Sequence, residues 1–411
     1  DSATMPEFFG KRFGSKSLKI AASVIIFIFL IPYTASLYNG LSRLFGMAFH
    51  IDYSICVIVM AVLTGVYVIA GGYMATAIND FIQGLIMIVG IIAVIAAVLN
   101  SQGGFMAALE GLAQVSDPTV SDVPGVFASF FGPDPLNLLG VIILTSLGTW
   151  GLPQMTQKFY AIRSEKAIDT GTVISTLFAA VVAGGCYFLG GFGRLFSDQV
   201  DIAVGGYDSV VPTMLSGLPD ILLAVVVILV LSASMSTLSS LVLTSSSTLT
   251  LDLLKGHVIK DMDQKRQIFV MRCLIVVFIA ISVVLAIVQY KSNVTFIAQL
   301  MGVSWGALAG AFLAPFLFGL YWKKATKAAC WASFLFSTVV MLANIGLKSL
   351  FPAVLQSPIN AGAFCMVAGL VIVPMVSLFT PKPDGKMVDE TFSCFEQKVL
   401  VRQRQALGDS N

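Results

Sequence analysis

Ser232, Ser236, Ser239, Ser240 and Ser247 recur at i, i+4, i+7, i+8 and i+15 through the apolar stretch LSASMSTLSSLVLTSSSTLTLDLL. That spacing places them along one face of a helix. Two chemistries fit such a stripe. Hydroxyls on a membrane helix donate back to the carbonyl one turn earlier, or let a neighbouring helix pack closely. Packing is the commoner use. Their oxygens are also hard, neutral ligands of the kind that replace the water shell of an alkali cation. A second feature points the same way. Of the 22 acidic residues, 21 lie in loops, tails or at span ends, while Asp80 sits inside GGYMATAINDFIQGLIMIVG. An ionised carboxylate within a membrane is costly and usually functional. Gly71 and Gly72 just before it leave the alternative that Asp80 caps a helix at the interface.

Other polar interruptions suggest a pathway. Gly148, Thr149, Trp150, Gly151, Leu152, Pro153 and Gln154 break apolar sequence. Glycine and proline there free backbone groups that a ligand, water or neighbour must satisfy. Discontinuous helices of this kind mark solute sites in transporters; a plain proline kink is the alternative. Gln299, Ser304 and Trp305 lead into Gly306-x-x-x-Gly310, a close-packing motif. Pro32 kinks another span beside Tyr33, Thr34, Ser36 and Tyr38. Residues 302–306 match G-x-S-x-G, but a nucleophile elbow needs a strand-turn-helix setting and a histidine. The two histidines, His50 and His257, lie outside the apolar spans.

The elements that position these groups follow from composition. The chain is 57% hydrophobic and 11% charged, with a mean hydropathy of +0.90, whereas soluble domains carry about 25% charged residues. It is a polytopic membrane protein. A crossing needs roughly 20 mainly apolar residues, and ten stretches qualify: 18–46, 52–71, 75–99, 136–158, 167–196, 218–251, 267–290, 294–321, 328–347 and 358–379. An amphipathic piece runs from Phe105 to Val115, and a small helix is expected within 197–217. The six cysteines are scattered without a C-x-x-C pair, as small hydrophobes are. Loops on one side, with both tails, hold 19 Lys and Arg, against Arg43, Arg194, Lys291 and Lys348 on the other. The positive-inside rule then places both ends of the chain in the cytoplasm, with the protein in the cell membrane. The expected division is a transporter domain over 1–380 and a cytoplasmic tail over 381–411. The opening DSATMPEFFGKRFGSKSLK reads as a loop in progress, as in the C-terminal part of a longer protein.

MPEFFGKRF (5–13), AGGYMATAINDFIQG (70–84), WGLPQMTQKFYAIRSEKA (150–167) and LTLDLLK (249–255) together resemble the solute:sodium symporter family. That family includes proline, pantothenate, sialic acid and sodium–glucose cotransporters. The resemblance covers nearly the whole chain. It implies an all-α, leucine-transporter-like inverted-repeat bundle, with core helices three to ten and two peripheral helices in this sequence. The first two core helices, including the broken one that contributes to the ion and solute sites, would precede Asp1. Carried over residue by residue, the family's sodium site falls on Ala233 (backbone carbonyl), Ser236 and Thr237. A further sodium site of some relatives maps to Asp80, Ser236, Ser239 and Ser240. This convergence promotes the stripe from packing to ligand.

Candidate solute contacts are Ser146, Thr149, Trp150, Gln154, Gln299 and Ser304. Gln299 matches a sugar-contacting glutamine, yet Ala179 and Thr149 stand where the sugar carriers have a lysine and an aromatic gate. The 150–154 block and the Ser304–Trp305 pair are closer to the proline side of the family. The implied function is sodium-driven import of a small organic solute, with Na+ as coupling ion, no cofactor and no catalysis. Its partners would be that solute, sodium and the lipid bilayer. The rivals are a proton-coupled carrier, in which a desolvated Asp80 titrates, and a membrane sensor. Three geometric expectations follow: Asp80 lies within a water's reach of Ser239 or Ser240; residues 148–153 are kinked and face Gln299 across a cavity; Ser236 and Thr237 look into a crevice open on one side.

Overall fold

The computed structural model describes residues 2, 4–159, 162, 165–200, 206–255, 259, 262–292 and 296–396. The side chains of 71–77, 79, 165, 394 and 396 lie outside that description. In hydrocarbon a chain must close its own backbone hydrogen bonds, and the described residues do so almost wholly as helix. α1 (Met5–Arg12) begins on Thr4, whose hydroxyl accepts from the Glu7 N–H at 3.2 Å, with Pro6 in the first turn. Both are start signals. α2 (Lys16–Phe49) starts on a Ser15 cap and ends at His50, which turns the chain with φ of 54°. Then follow α3 (Tyr53–Ser101), the amphipathic α4 (Phe105–Gln114), α5 (Pro135–Gly151), α6 (Pro153–Phe159), α7 (Glu165–Gly191) and the short α8 (Val210–Ser216). α9 (Asp220–Thr248) runs into a π-helical turn, Leu249–Leu254. α10 (Gln264–Ser292), α11 (Ile297–Tyr321), α12 (Lys327–Gly346), α13 (Pro358–Phe379) and α14 (Gly385–Phe392) complete the chain. Among the described residues nine helical stretches are long and apolar enough to cross a membrane, the two arms of α3 (Tyr53–Ala70 and Asp80–Ser101) counted separately. The bent pair α5 and α6 makes a tenth if counted as one span. The ten stretches expected from sequence are thus recovered.

One boundary differs. The backbone at Gly71 and Gly72, where the turn is expected, is helical, so α3 keeps helical pairing over 49 residues while bending back on itself. Without proline nothing removes a backbone donor there, and each glycine costs only about 1 kcal/mol relative to alanine. The path nevertheless doubles back. Thr64 touches Met235 of α9, at 3.7 Å, and a Cβ at Gly90 would sit 3.2 Å from Leu229. Twenty-six residues of straight helix would span about 39 Å, against about 9 Å between two residues six apart on α9. The arms Tyr53–Ala70 and Asp80–Ser101 therefore both lie on α9, joined near the membrane side that carries Lys158.

The most enclosed helix is α11, with 78% of its apolar window buried. It is gripped by α12 and α13 through small residues. A Cβ at Gly306 would come 2.6 Å from the Gly362 Cα, and one at Gly302 would come 3.0 Å from the Ile359 N. Pro315 removes the N–H that would have paired with the Ala311 carbonyl; Ser333 Oγ donates to that carbonyl instead, at 3.0 Å. The tail, polar in sequence, contributes α14, whose Phe392 ring lies 5.2 Å from the Arg12 guanidinium.

Candidate ion and solute site

The hydroxyl helix is α9. Thr237 Oγ1 donates to the Ala233 carbonyl at 3.0 Å, and Ser239 and Ser240 both donate to the Ser236 carbonyl, at 2.9 and 3.1 Å. These are the back-bonds of the structural reading. They do not spend the oxygens, because a hydroxyl that donates its proton keeps lone pairs for a cation. Ser236 Oγ has no hydrogen bond among the described residues. Ala233, Ser236 and Thr237 are half-buried, whereas Ser232, Ser234, Leu238 and Ser239 are buried. One turn of α9 thus carries Ala233, Ser236 and Thr237 on one half-buried face, with the Ala233 carbonyl and the two hydroxyls among its polar groups.

Asp80 begins the second arm of α3. It is no lone carboxylate: its Oδ2 lies 3.5 Å from the Lys158 ammonium. The neighbouring Gln157 accepts from Thr244 Oγ1 of α9 at 2.7 Å. Among the described residues no hydrogen bond joins Asp80 to Ser239 or Ser240, whose protons go to Ser236.

The solute candidates divide. α5 and α6 meet at Leu152 with a 48° bend, so the kink exists. Two expectations are corrected. Helix continues through Trp150 to Gly151, and Trp150 is 61% exposed. Segment 148–153 faces Trp305, Ala309 and Leu313, not Gln299: a Cβ at Gly148 would meet the Trp305 ring at 3.0 Å, and one at Gly151 the Ala309 Cα at 2.8 Å. Gln299, in the first turn of α11, lies about 9 Å further along the axis from Trp305. The two glycines serve close approach between helices, which is why the break waits for Pro153. Ser146 and Thr149 donate back to Ile142 and Ser146 carbonyls. Gln154, at 3% exposed, has neither amide atom paired among the described residues, and buried Ser304 Oγ and Trp305 Nε1 are likewise unpaired. Trp305 meets Tyr33 of α2 edge to face, ring centres 5.7 Å apart.

Sequence reasoning missed the polar clasps at the two membrane faces. On the cation-rich face, buried Asp252 of the π-helical turn accepts from Thr4 Oγ1 at 2.7 Å and pairs with the Lys19 ammonium at 3.0 Å. Arg12, 1% exposed, donates to the Gly319 and Trp322 carbonyls, closing the end of α11. On the opposite face Asp208 accepts from the Ile297 N–H at the start of α11, at 3.0 Å, with Arg43 3.9 Å away. Burial pushes the Asp208 carboxyl above its ordinary value, against the Ile297 N–H and Arg43, which pull it down. The folded state therefore binds this proton more tightly than the unfolded chain. Asp208's contribution to stability is full below the ordinary carboxylate pKa and fades as pH rises through the raised value. Asp208→Asn, which cannot ionise and keeps an acceptor for Ile297, is expected to leave the melting temperature at pH 7 unchanged or raised. A clear drop would show that the Arg43 pair outweighs burial.

Comparison with known proteins accords with this geometry. A sequence model of the Sodium:solute symporter family matches residues 1–336. A sodium/proline symporter of Staphylococcus aureus is 29% identical, over 98% of this chain and 77% of its own length. The osmoregulated proline transporter OpuE of Bacillus subtilis is 26% identical, over 98% and 79%. A solved structure of a Na+-coupled sialic acid symporter, in a substrate-bound outward-open state, shares the fold with a TM-score of 0.66 and 15% identity, over 93% of this chain and 78% of its own. These relatives are transporters and not enzymes, which disposes of a hydrolase built on Ser304. With its helical bundle, its hydroxyl-lined α9 and a match over most of its length, the chain belongs to the sodium:solute symporter family.

Proposed function

We propose that the chain couples sodium entry to the import of a small organic solute, with a zwitterionic amino acid of the proline type as first candidate. The observation that carries this is the turn of α9 where the Ala233 carbonyl, Ser236 Oγ and Thr237 Oγ1 share one partly open face. Neutral oxygens of this kind suit an ion that must bind and leave within each cycle. Asp80, with Ser239 and Ser240, is the second place for a cation. Gln154 and Ser304, buried beside the bend with unpaired polar atoms, are the groups to contact solute; Gln154 has amide atoms to offer a carboxylate or ammonium. The 19 cationic residues that the span pattern gathers on one side, with Arg12 and Lys19 among them, support an orientation with both ends of the chain in the cytoplasm of a cell-membrane carrier. Ion and solute favour the same conformation, so each tightens the other by the same factor.

The test is radiolabelled proline uptake by proteoliposomes under an inward sodium gradient, with choline as the replacement cation. Uptake should collapse in choline. Accumulation that ignores sodium and follows an imposed pH gradient would overturn the coupling in favour of protons. Sodium-stimulated uptake of another solute that proline fails to compete would overturn only the solute class.

A further inference from the structure

The Asp80 carboxylate is half satisfied. Its Oδ2 faces Lys158, while its Oδ1 is enclosed with no donor against it among the described residues. Gln83 Oε1, one turn along α3, is also enclosed and without a donor. Residues i and i+3 are neighbours on a helix surface, so Gln83 shares the helix face that carries Asp80. Buried acceptors are ordinarily paired, and leaving them bare is costly.

Lys158 belongs to α6, the seven-residue helix beyond the bend at Leu152. Its Nζ–Oδ2 separation of 3.5 Å is long beside the roughly 2.7–2.9 Å of a charge-assisted hydrogen bond. Its side chain is half exposed. A pair so placed is weak, and a small cation can displace it. The neighbouring Gln157 is bonded to Thr244 of α9. Two successive residues of α6 thus reach the carboxylate arm of α3 and the hydroxyl helix.

We propose that Lys158 is a tethered counter-ion: it holds Asp80 while no sodium is there, and sodium displaces it by binding to the Asp80 and Gln83 oxygens. This rests on the sodium-coupled reading above. The tether gives Asp80 a counter-ion in the empty carrier, where an unpaired charge would be costly. The empty carrier can then reorient with the site neutralised. Sodium arriving at Asp80 releases α6, so ion occupancy is signalled to the bend beside Trp150 and Gln154. The tether also weakens sodium binding by the fraction of time that Asp80 is free. If Lys158 is in place about four-fifths of the time, the apparent affinity falls about fivefold.

The experiment is a sodium titration of the purified protein at constant ionic strength, NaCl against choline chloride, followed by intrinsic tryptophan fluorescence and melting temperature. Lys158→Gln should lower the half-saturating sodium concentration several-fold, and Lys158→Arg, a stronger partner for a carboxylate, should leave it equal or higher. Gln83→Leu should raise it. In an Asp80→Asn background Lys158→Gln should change nothing further. A fall in Lys158→Gln that Lys158→Arg does not share cannot arise from misfolding. A half-saturating concentration unchanged or raised in Lys158→Gln overturns the proposal. A wild-type protein that responds to no sodium at all overturns the sodium-coupled reading instead, so the two failures are separable.

Discussion

Replacing Ser236 by alanine and Thr237 by valine together should raise the sodium concentration for half-maximal uptake by roughly 5- to 150-fold. Each substitution removes one net polar contact, about 0.5–1.5 kcal/mol, and about 1.4 kcal/mol is a factor of ten. Valine keeps the shape of Thr237 and alanine shortens Ser236 by one atom, so packing changes little. Ser246→Ala is the matched control: that buried hydroxyl also bonds back along α9, to Val242 at 2.8 Å, but lies away from the open turn. Sodium dependence should move in the double variant and hold in the control. A double variant with wild-type sodium dependence would return the hydroxyl stripe to packing.

The largest loss of stability is expected at the seam between α11 and α13. A side chain at Gly306 meets the Gly362 backbone at 2.6 Å and Met341 at 2.9 Å. Met341 can swing aside, but the Gly362 backbone cannot without separating the helices. Gly306→Val should therefore cost at or beyond the upper end of the usual 1–3 kcal/mol for overpacking, a large share of a marginal total. The readouts are yield of monodisperse protein and melting temperature. Gly171→Ala, at a helical site with nothing within 4 Å, should be neutral or slightly stabilising. A Gly306→Val protein that melts like the wild type would mean that the seam opens easily.

The spans were legible because the bilayer fixes their length and excludes charge, so apolar run length is nearly sufficient. The hydroxyl turn was legible for a related reason, since oxygens at helical spacing stand out against leucine and valine. The bend at Pro153 was readable to within a few residues. Its glycines misled, because Gly148 and Gly151 serve close approach to Trp305 and Ala309 while the helix continues through them. What stayed hidden was pairing at long range. Lys158 reaches Asp80 across 78 positions, and Thr4 reaches Asp252 across 248. Asp252 looked like the flank of a loop because it stands just before Lys255. Asp208 sat in an insertion for which the sequence pointed only to a small helix. Charges near span ends look alike in a sequence; the fold decides which are solvated and which are clasped.

The doubled-back α3 lays both of its arms on α9, Thr64 at Met235 and Gly90 at Leu229. An element held from two sides cannot slide without taking its holder along. A tilt of α9 would carry Asp80 and the hydroxyl turn as one piece, and their separation would stay the same whichever side of the membrane is open. The ruler between the two proposed ion positions is then mechanical and needs no direct bond. In the proposed transport cycle, what changes length is then the reach from that piece to α6 and to the glycine-locked seam of α11.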